Sequence, residues 1–357
     1  MKKNQLFTRI ILIILLAIPL TSCATTANGK HVYFYGRPAV GFTVEEEVVT
    51  KVDLLKQNSL NLEAQDGAIK ITQWDRDYLQ VVEKGRLTGP AATENLKTLL
   101  ESSKCKVENT TYEIKIEKEP NEDLKSLYRR TDDIELMVPK ALKRIHISAK
   151  SGALVMSGFD DLTSVDLTLK KGYIKVDQCK MSKIDITITD GDLDITGING
   201  SGSYECGRGN MKLKDITGAI ELKSVSGNTY IENAEGKLNS DLSAGSITVK
   251  ASRLKTESFL YASNGDIQAD LEGLDLTGKY TIKAAYGSIR LYMPEKTGWS
   301  LLAKSTGGRI VDNLELTSGE LEKAPSGEVY GDVGGGGPMI DVYVDRGDIY
   351  LGKGDRE

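Results

Sequence analysis

Residues 189–197 read TDGDLDITG, three aspartates at alternate positions around Gly191. A calcium loop of the EF-hand type needs oxygen ligands at positions 1, 3 and 5, glycine at 6 and glutamate at 12. Asp190, Asp192 and Asp194 fill the first three, but Ile195 and Ser201 occupy the other two. The competing reading is a strand corner, and the rest of the chain favours it. Similar units return as SGALVMSG (151–158), KGYIKVD (171–177), RGNMKLK (208–214), AGSITVK (244–250), NGDIQAD (264–270) and YGSIRLY (286–292). Each has a glycine, one variable residue, then apolar side chains at the second and usually the fourth positions beyond. Asp192 and Asp194 fall on outward offsets, so no metal site is expected here.

Before each glycine the apolar positions are three, five and seven back, as in Ile188, Ile186 and Ile184. Period-two alternation marks strands with one apolar face. The parity changes across the glycine, so a bend there lets both halves face one core, and glycine tolerates the positive φ that a bend requires. From Gly152 the glycines follow at 20, 19, 18, 18, 18, 20 and 22 residues, ending at Gly287. Units at Gly218 (TGAIELK) and Gly227 (SGNTYIE) read as half-spaced, and GGRIVD at Gly308 continues the series after 21 residues. A meander of twisted sheets also gives alternation. The steady period predicts an all-β parallel β-solenoid, or β-helix-like repeat, of about 20 residues per coil.

The flanks are less regular. LNLEAQDGAIKITQW (60–74) has the same grammar around Gly67. Residues 92–104 predict one short helix in the N-terminal part, with Thr93 as its cap and Leu96, Leu99 and Leu100 on one face. NEDLKSLYRRTDD (121–133) reads as a solvated loop, and MIDVYVDRGDIYLG (339–352) as a closing unit. The expected divisions are a signal peptide (1–22), a tether or edge strand (23–43), a β-rich part with the helix (44–132), solenoid repeats (133–313), a flexible Gly-rich insertion (314–338), and a closing repeat with tail (339–357).

The start is basic, with Lys2, Lys3 and Arg9, followed by the apolar run IILIILLAIPL (10–20). That run suits a secretory signal and is too short for a membrane span, which needs roughly 20 apolar residues. It ends in LTSC (20–23), which resembles the lipobox of bacterial lipoproteins. The resemblance implies acylation of Cys23 as the first mature residue, and outer-membrane sorting in a two-membraned cell because Ala24 follows. Acyl chains would hold the protein to the bilayer, each buried methylene contributing about 0.8 kcal/mol. Without residues 1–22 the 46 basic residues fall to 43 against 51 acidic, a net charge of −8. Such a surface argues against nucleic acid as a partner.

The units from IELMVPKALKRIHISAKSGALVMSG (134–158) onward resemble the bacterial putative-adhesin domain of unknown function, over roughly residues 44–310. The resemblance implies a β-rich, solenoid-like repeat on secreted or membrane-attached envelope proteins. It carries no catalytic residues over.

The candidate sites are weak. Past Cys23, the cysteines are Cys105, Cys179 and Cys206, and the only histidines are His31 and His146. That set excludes a Cys/His zinc cluster and a His-dependent triad. Cys206 reads as a core residue, and a Cys179–Cys206 bridge between neighbouring coils is left open. A polysaccharide lyase or hydrolase on a β-helix is the rival reading. It would draw on Asp160, Asp161, Lys170, Lys171 and Arg208, but no spacing selects an acidic pair. The four glycines at 334–337 lack the Lys-Ser/Thr of a phosphate loop. RGD at 346–348 coincides with a repeat corner, and Trp74 and Trp299 read as packing or cap residues. The expectation is a lipid-anchored envelope protein, facing outward from the cytoplasmic membrane, with no cofactor and no catalytic residues. Its role would be adhesin-like binding or scaffolding, with an envelope protein or glycan as partner.

Overall fold

A computed structural model describes residues 22–27, 30–37, 41–90, 93–101, 104–118, 129–293, 297–314 and 327–353. The signal peptide before Ser22, most of the 121–133 loop and part of the 314–338 insertion lie outside these residues. In chain order the elements are β1 (Ser22–Ala27), β2 (Lys30–Arg37), β3 (Gly41–Asp53), β4 (Ser59–Trp74), β5 (Tyr78–Gly89), α1 (Thr93–Glu101), β6 (Lys106–Asn109), β7 (Glu113–Glu117), β8 (Arg129–Pro139) and β9 (Arg144–Arg208). There follow β10 (Met211–Thr217), β11 (Ile220–Ser226), β12 (Thr229–Gly236), β13 (Leu238–Ala244), β14 (Ile247–Leu254), β15 (Phe259–Asn264), β16 (Ile267–Leu274), β17 (Lys279–Tyr286) and β18 (Ile289–Met293). The last are β19 (Trp299–Ser305), β20 (Ile310–Asp312), β21 (Glu328–Val333), β22 (Met339–Arg346) and β23 (Ile349–Lys353).

The body is a parallel β-solenoid, as the repeat predicts. Each coil has two strands, one per sheet. In sheet one β9, β10, β12, β14, β16 and β18 pair in parallel succession. In sheet two β9, β11, β13, β15 and β17 do the same. β9 is one unbroken run of pairing that passes the corners at Gly152, Gly172 and Gly191. The parity argument holds across Gly191: Ile186, Ile188, Leu193 and Ile195 are all buried, and they belong to one continuous core.

The corner glycines stack. A Cβ on Gly191 would fall on the Gly172 carbonyl, one on Gly209 on the Gly191 carbonyl, and one on Gly227 on the Gly209 carbonyl. Gly227 is therefore a main corner, and reading it as half-spaced is wrong. Gly218 belongs to a second corner line with Gly200 and Gly236, nine residues past the first, where the chain passes between sheets. A third line sits six residues past the main corner, at Gly158, Gln178, Gly197, Asp215, Asn233 and Ala251, all with positive φ. The kink lets Ile198, Ile216 and Ala234 point inward three residues after the preceding inward side chain.

The stacking order departs from chain order at both ends. β4 pairs with β9 on one side and with β7 and β8 on the other, so residues 59–74 lie between two later segments. At the far end β22 lies between β17 and β19, and β23 between β18 and β20. The unit at Gly308 thus does not follow Gly287 directly: Gly347 stacks on Gly287, and Gly308 on Gly347.

Antiparallel strands close both ends. β5 pairs with β8, β3 with β5, β2 with β3 and β1 with β2, while β6 pairs with β7 and β21 with β19. Several flank readings change accordingly. Residues 23–43, divided off as a tether, hold strand ladders, which agrees with the edge-strand alternative. Arg129–Asp133 is strand, where a solvated loop was expected. The insertion 314–338 contains β21. Thr93 is the first helical residue of α1 and no cap precedes it in the described chain.

Under α1, whose Leu96 and Leu100 are buried, the cap holds a charge cluster that sequence patterning missed. Lys118 is ion-paired to Glu83 and lies 3.5 Å from Asp132, and Arg130 reaches Asp132 at 2.6 Å. Glu83 also accepts the Cys105 N–H at 2.9 Å. These residues are scattered over 83–132, and only the folded cap gathers them.

Candidate binding surface

The corner that opened the sequence reading is an acceptor ladder. At a corner, the N–H groups of Gly209 and Met211 point to the following coil, bonding Ser226 O and Asn228 O. The intervening Asn210 N–H points the other way, where the preceding coil offers it no backbone acceptor in the ladder. Asp192 supplies one: its Oδ1 accepts the Asn210 N–H at 2.7 Å. Asn210 Oδ1 then accepts from Asn228 N–H, and Asn228 Oδ1 from Ser246 N–H. The line continues through Ser246, Asp266 and Ser288 to Asp348, whose Oδ1 accepts the Arg309 N–H at 2.9 Å. The residue after each glycine, read as variable in the sequence, is thus Asp, Asn or Ser from Asp192 through Asp348, for a stated reason.

The other aspartates of TDGDLDITG are also engaged. Arg208 meets Asp190 at 3.1 Å, and the Tyr173 hydroxyl donates to Asp194 at 3.1 Å. Burial and the Asp194 carboxylate push the Tyr173 phenol up to about 12. Among the described residues no three His, Cys, Asp or Glu side chains come together as a metal cluster. The RGD segment occupies the same corner line. Gly347 is sandwiched in the glycine stack, Asp348 serves in the ladder, and the Arg346 guanidinium lies 5.4 Å from the Tyr286 ring centre.

The acids considered for polysaccharide cleavage are engaged by neighbours of the opposite kind. Asp160 takes a 2.7 Å hydrogen bond from Gln73 and lies 3.4 Å from Lys140, and Asp161 lies 2.7 Å from Lys143. Lys170, Lys171 and Arg208 are exposed. Cys105, Cys179 and Cys206 are free thiols, so the open Cys179–Cys206 bridge is not made. Burial pushes the Cys105 thiol up to about 12 and those of Cys179 and Cys206 to about 11, which removes thiolate character. Trp299 is buried, and the Trp74 indole N–H donates to Tyr78 O at 2.9 Å; both serve packing. Cys23 lies in β1, between the paired residues Ser22 and Thr25, where the ladder with β2 is irregular.

The outer face of sheet two divides into two halves. Towards the N-terminal end it carries local ion pairs: Lys183 with Asp185 at 2.6 Å, Lys223 with Glu221 at 2.8 Å and Lys237 with Glu257 at 2.9 Å. Towards the C-terminal end aromatic and apolar groups take over. One outer row runs Phe259, Thr281, Asp341, Leu302, Tyr330, and the next runs Tyr261, Lys283, Tyr343, Lys304, Glu328. Phe259, Tyr286, Tyr330 and Met339 are exposed, Tyr330 by 53 %. Phe259 and Tyr261 stack with ring centres 6.2 Å apart. Adjacent strands are about 4.8 Å apart, so Tyr261 and Tyr343 stand about 10 Å apart with Lys283 between them. Asp341 faces outward yet is covered, held by Lys279 at 2.6 Å. Burial and that carboxylate raise the Tyr343 phenol above its ordinary value. Sequence alternation marks these side chains as outward, but only the stacking order places them in one patch.

The profile of one protein family matches residues 31–258 and again residues 206–351, which together take in nearly the whole chain. The chain belongs to the Toastrack DUF4097 family. The match extends past both ends of the 44–310 span that the sequence resemblance covered. No curated protein sequence matches this Toastrack chain. Among solved structures it is similar to a "putative cell adhesion protein" from Clostridium sporogenes ATCC 15579, at 12 % identity over 87 % of this chain and 99 % of that one, TM-score 0.21. It is also similar to a "putative adhesin" from Bacteroides fragilis NCTC 9343, at 14 % identity over 86 % and 96 %, TM-score 0.25. A third, a "putative lipid binding protein" from Parabacteroides distasonis ATCC 8503, gives 12 % identity over 85 % and 96 %, TM-score 0.28.

Proposed function

We propose that this Toastrack protein is a lipid-anchored envelope protein that binds another protein, without catalysis, through the C-terminal half of sheet two. The observation that carries the reading is the patch around Phe259, Tyr261, Tyr343 and Tyr330. It gathers the Tyr, Phe, Met and Arg side chains that enrich protein interfaces, on a surface otherwise made of charged pairs. The ladder and core that position the patch use the corner aspartates structurally, which leaves the scaffold rigid and the face free to bind.

A photoreactive phenylalanine analogue at Tyr330, in intact cells, should yield discrete protein adducts. The same group at Lys212, on the outer face of sheet one, should not. Equal adducts from both positions, or none from Tyr330 with glycan recovered in their place, would overturn the protein-binding reading.

The anchor rests on LTSC directly after an apolar run with a basic start. Cleavage before Cys23 would remove only Ser22 from β1, so the ladder to β2 and β3 survives maturation. The acyl chains would then sit at the antiparallel cap, with the aromatic patch at the far end of the rod. Metabolic labelling with a fatty acid should mark the wild type and be lost in Cys23→Ala. Undiminished label in the variant would sink the anchor.

A further inference from the structure

We propose that the C-terminal end of the solenoid has two compatible stacking orders, and that the last coil, residues 339–353, closes the rod by wedging into a joint that its neighbours first make directly. In the closed order, the register runs Tyr280, Ile340, Leu301 across β17, β22 and β19, and Ile289, Ile349, Ile310 across β18, β23 and β20. Without the wedge, Tyr280 would meet Leu301, Ile282 would meet Ala303, and Ile289 would meet Ile310. All three pairs are separated by 21 residues, within the 18–22 residue spacing of true consecutive coils. The two flanking coils are therefore already in register with each other in both sheets.

The corner chemistry is equally interchangeable. Gly308 now stacks on Gly347, and Gly347 on Gly287, so Gly308 would stack on Gly287. The Arg309 N–H now bonds Asp348 Oδ1, while Ser288 Oγ accepts from Asp348 N–H. In the direct order Ser288 Oγ accepts from Arg309. Five residues, 294–298, separate β18 from β19, close to the four that separate β14 from β15 and β16 from β17. The hinge is short: Gly334–Pro338 joins β21, which stays on β19, to β22, and Gly334, Gly335 and Gly336 all have positive φ.

The opposite end lacks this property for a reason of chain order. There the wedge, β4, precedes both neighbours and is present when they form. At the C-terminal end β19 and β20 are complete before β22 and β23 exist, because synthesis runs from N to C. Coil 299–312 meets coil 279–293 first, and the last coil must displace that pairing. Insertion also brings Asp341 and Tyr343 into the aromatic rows, so the patch is completed only on closure.

The test uses the full chain. Lys283→Cys with Lys304→Cys places two outward thiols two strand spacings apart in the closed order, about 10 Å, beyond the roughly 7 Å a disulfide spans. In the direct order they are neighbours. Lys283→Cys with Tyr343→Cys reports the closed order. Pulsed oxidation during refolding from urea should trap the 283–304 bridge early, and that product should be lost as the 283–343 bridge becomes available. Thr281→Cys with Leu302→Cys repeats the measurement on the adjacent row, in case one variant folds poorly. Absence of both direct-order bridges at every refolding time, with 283–343 formed from the start, would overturn the proposal. So would bridges that form only between two chains.

Discussion

Gly191 shows how little freedom one corner residue has. Its φ is 143°, and a side chain there would run into the Gly172 carbonyl, which the stack cannot move without moving every corner behind it. Gly191→Ala should cost about 3 kcal/mol or more, a left-handed strain combined with a backbone clash. Gly158, at φ 73°, has open space where a Cβ would go, so Gly158→Ala should cost only about 1 kcal/mol. Urea denaturation of both variants checks the contrast; equal losses would mean that the stack does not constrain the corner. Asp348 tests the ladder differently. The Arg309 N–H holds its carboxyl below the ordinary aspartate value, with the Tyr350 hydroxyl adding to the effect. A depressed folded pKa means stabilisation that is complete above the ordinary range near 4 and lost as pH falls through the lower folded value. Asp348→Asn keeps an acceptor for Arg309 but removes the titration, so its urea midpoint should fall less than wild type's between pH 5 and strongly acid conditions, limits of about this size. Parallel acid limbs would refute the assignment.

Among the elements, the N-terminal cap depends on charge where the coils depend on apolar stacking. β5, β7 and β8 bring Glu83, Lys118 and Asp132 under α1, with Lys118 only 4 % exposed. Removing one partner of a buried pair leaves the other uncompensated, a loss of about 3–5 kcal/mol. Lys118→Met should therefore destabilise by that order. Adding Glu83→Gln, which still accepts the Cys105 N–H, should recover part of the loss, as read by thermal unfolding of the double variant. A double variant no better than the single would show that Lys118 acts by packing its stem alone. This cluster escaped the sequence reading because a patterned alternation of Lys and Glu looks the same on a solvated strand as on one covered by a helix.

For the whole molecule, coil periodicity makes a stronger claim than any single contact. Deleting residues 209–226 removes one complete coil and joins Arg208 to Gly227, and both corner lines stay in register, Gly191 under Gly227 and Gly200 under Gly236. Such a chain should fold, with β-sheet circular dichroism and a cooperative melt, because each coil touches only its neighbours. Deleting nine residues, 209–217, would set sheet-one residues against sheet two, and should abolish the cooperative melt. If both deletions behaved alike, the period would have no structural meaning.

The local grammar of the chain determined the solenoid, the corners and the inward side chains, since parity about a glycine and an 18–22 residue period are properties of neighbouring residues. The acceptor ladder was legible too, in the Asp, Asn or Ser after most corner glycines, though it went unread because its hydrogen-bond partner is one coil away. Tertiary structure alone decided which coils are neighbours at the two ends, and with that the aromatic patch and the buried cap. The physical reason is degeneracy: units with the same inward pattern and the same corner can stack on one another in more than one order. Chain connection, end caps and the order of folding then choose among them.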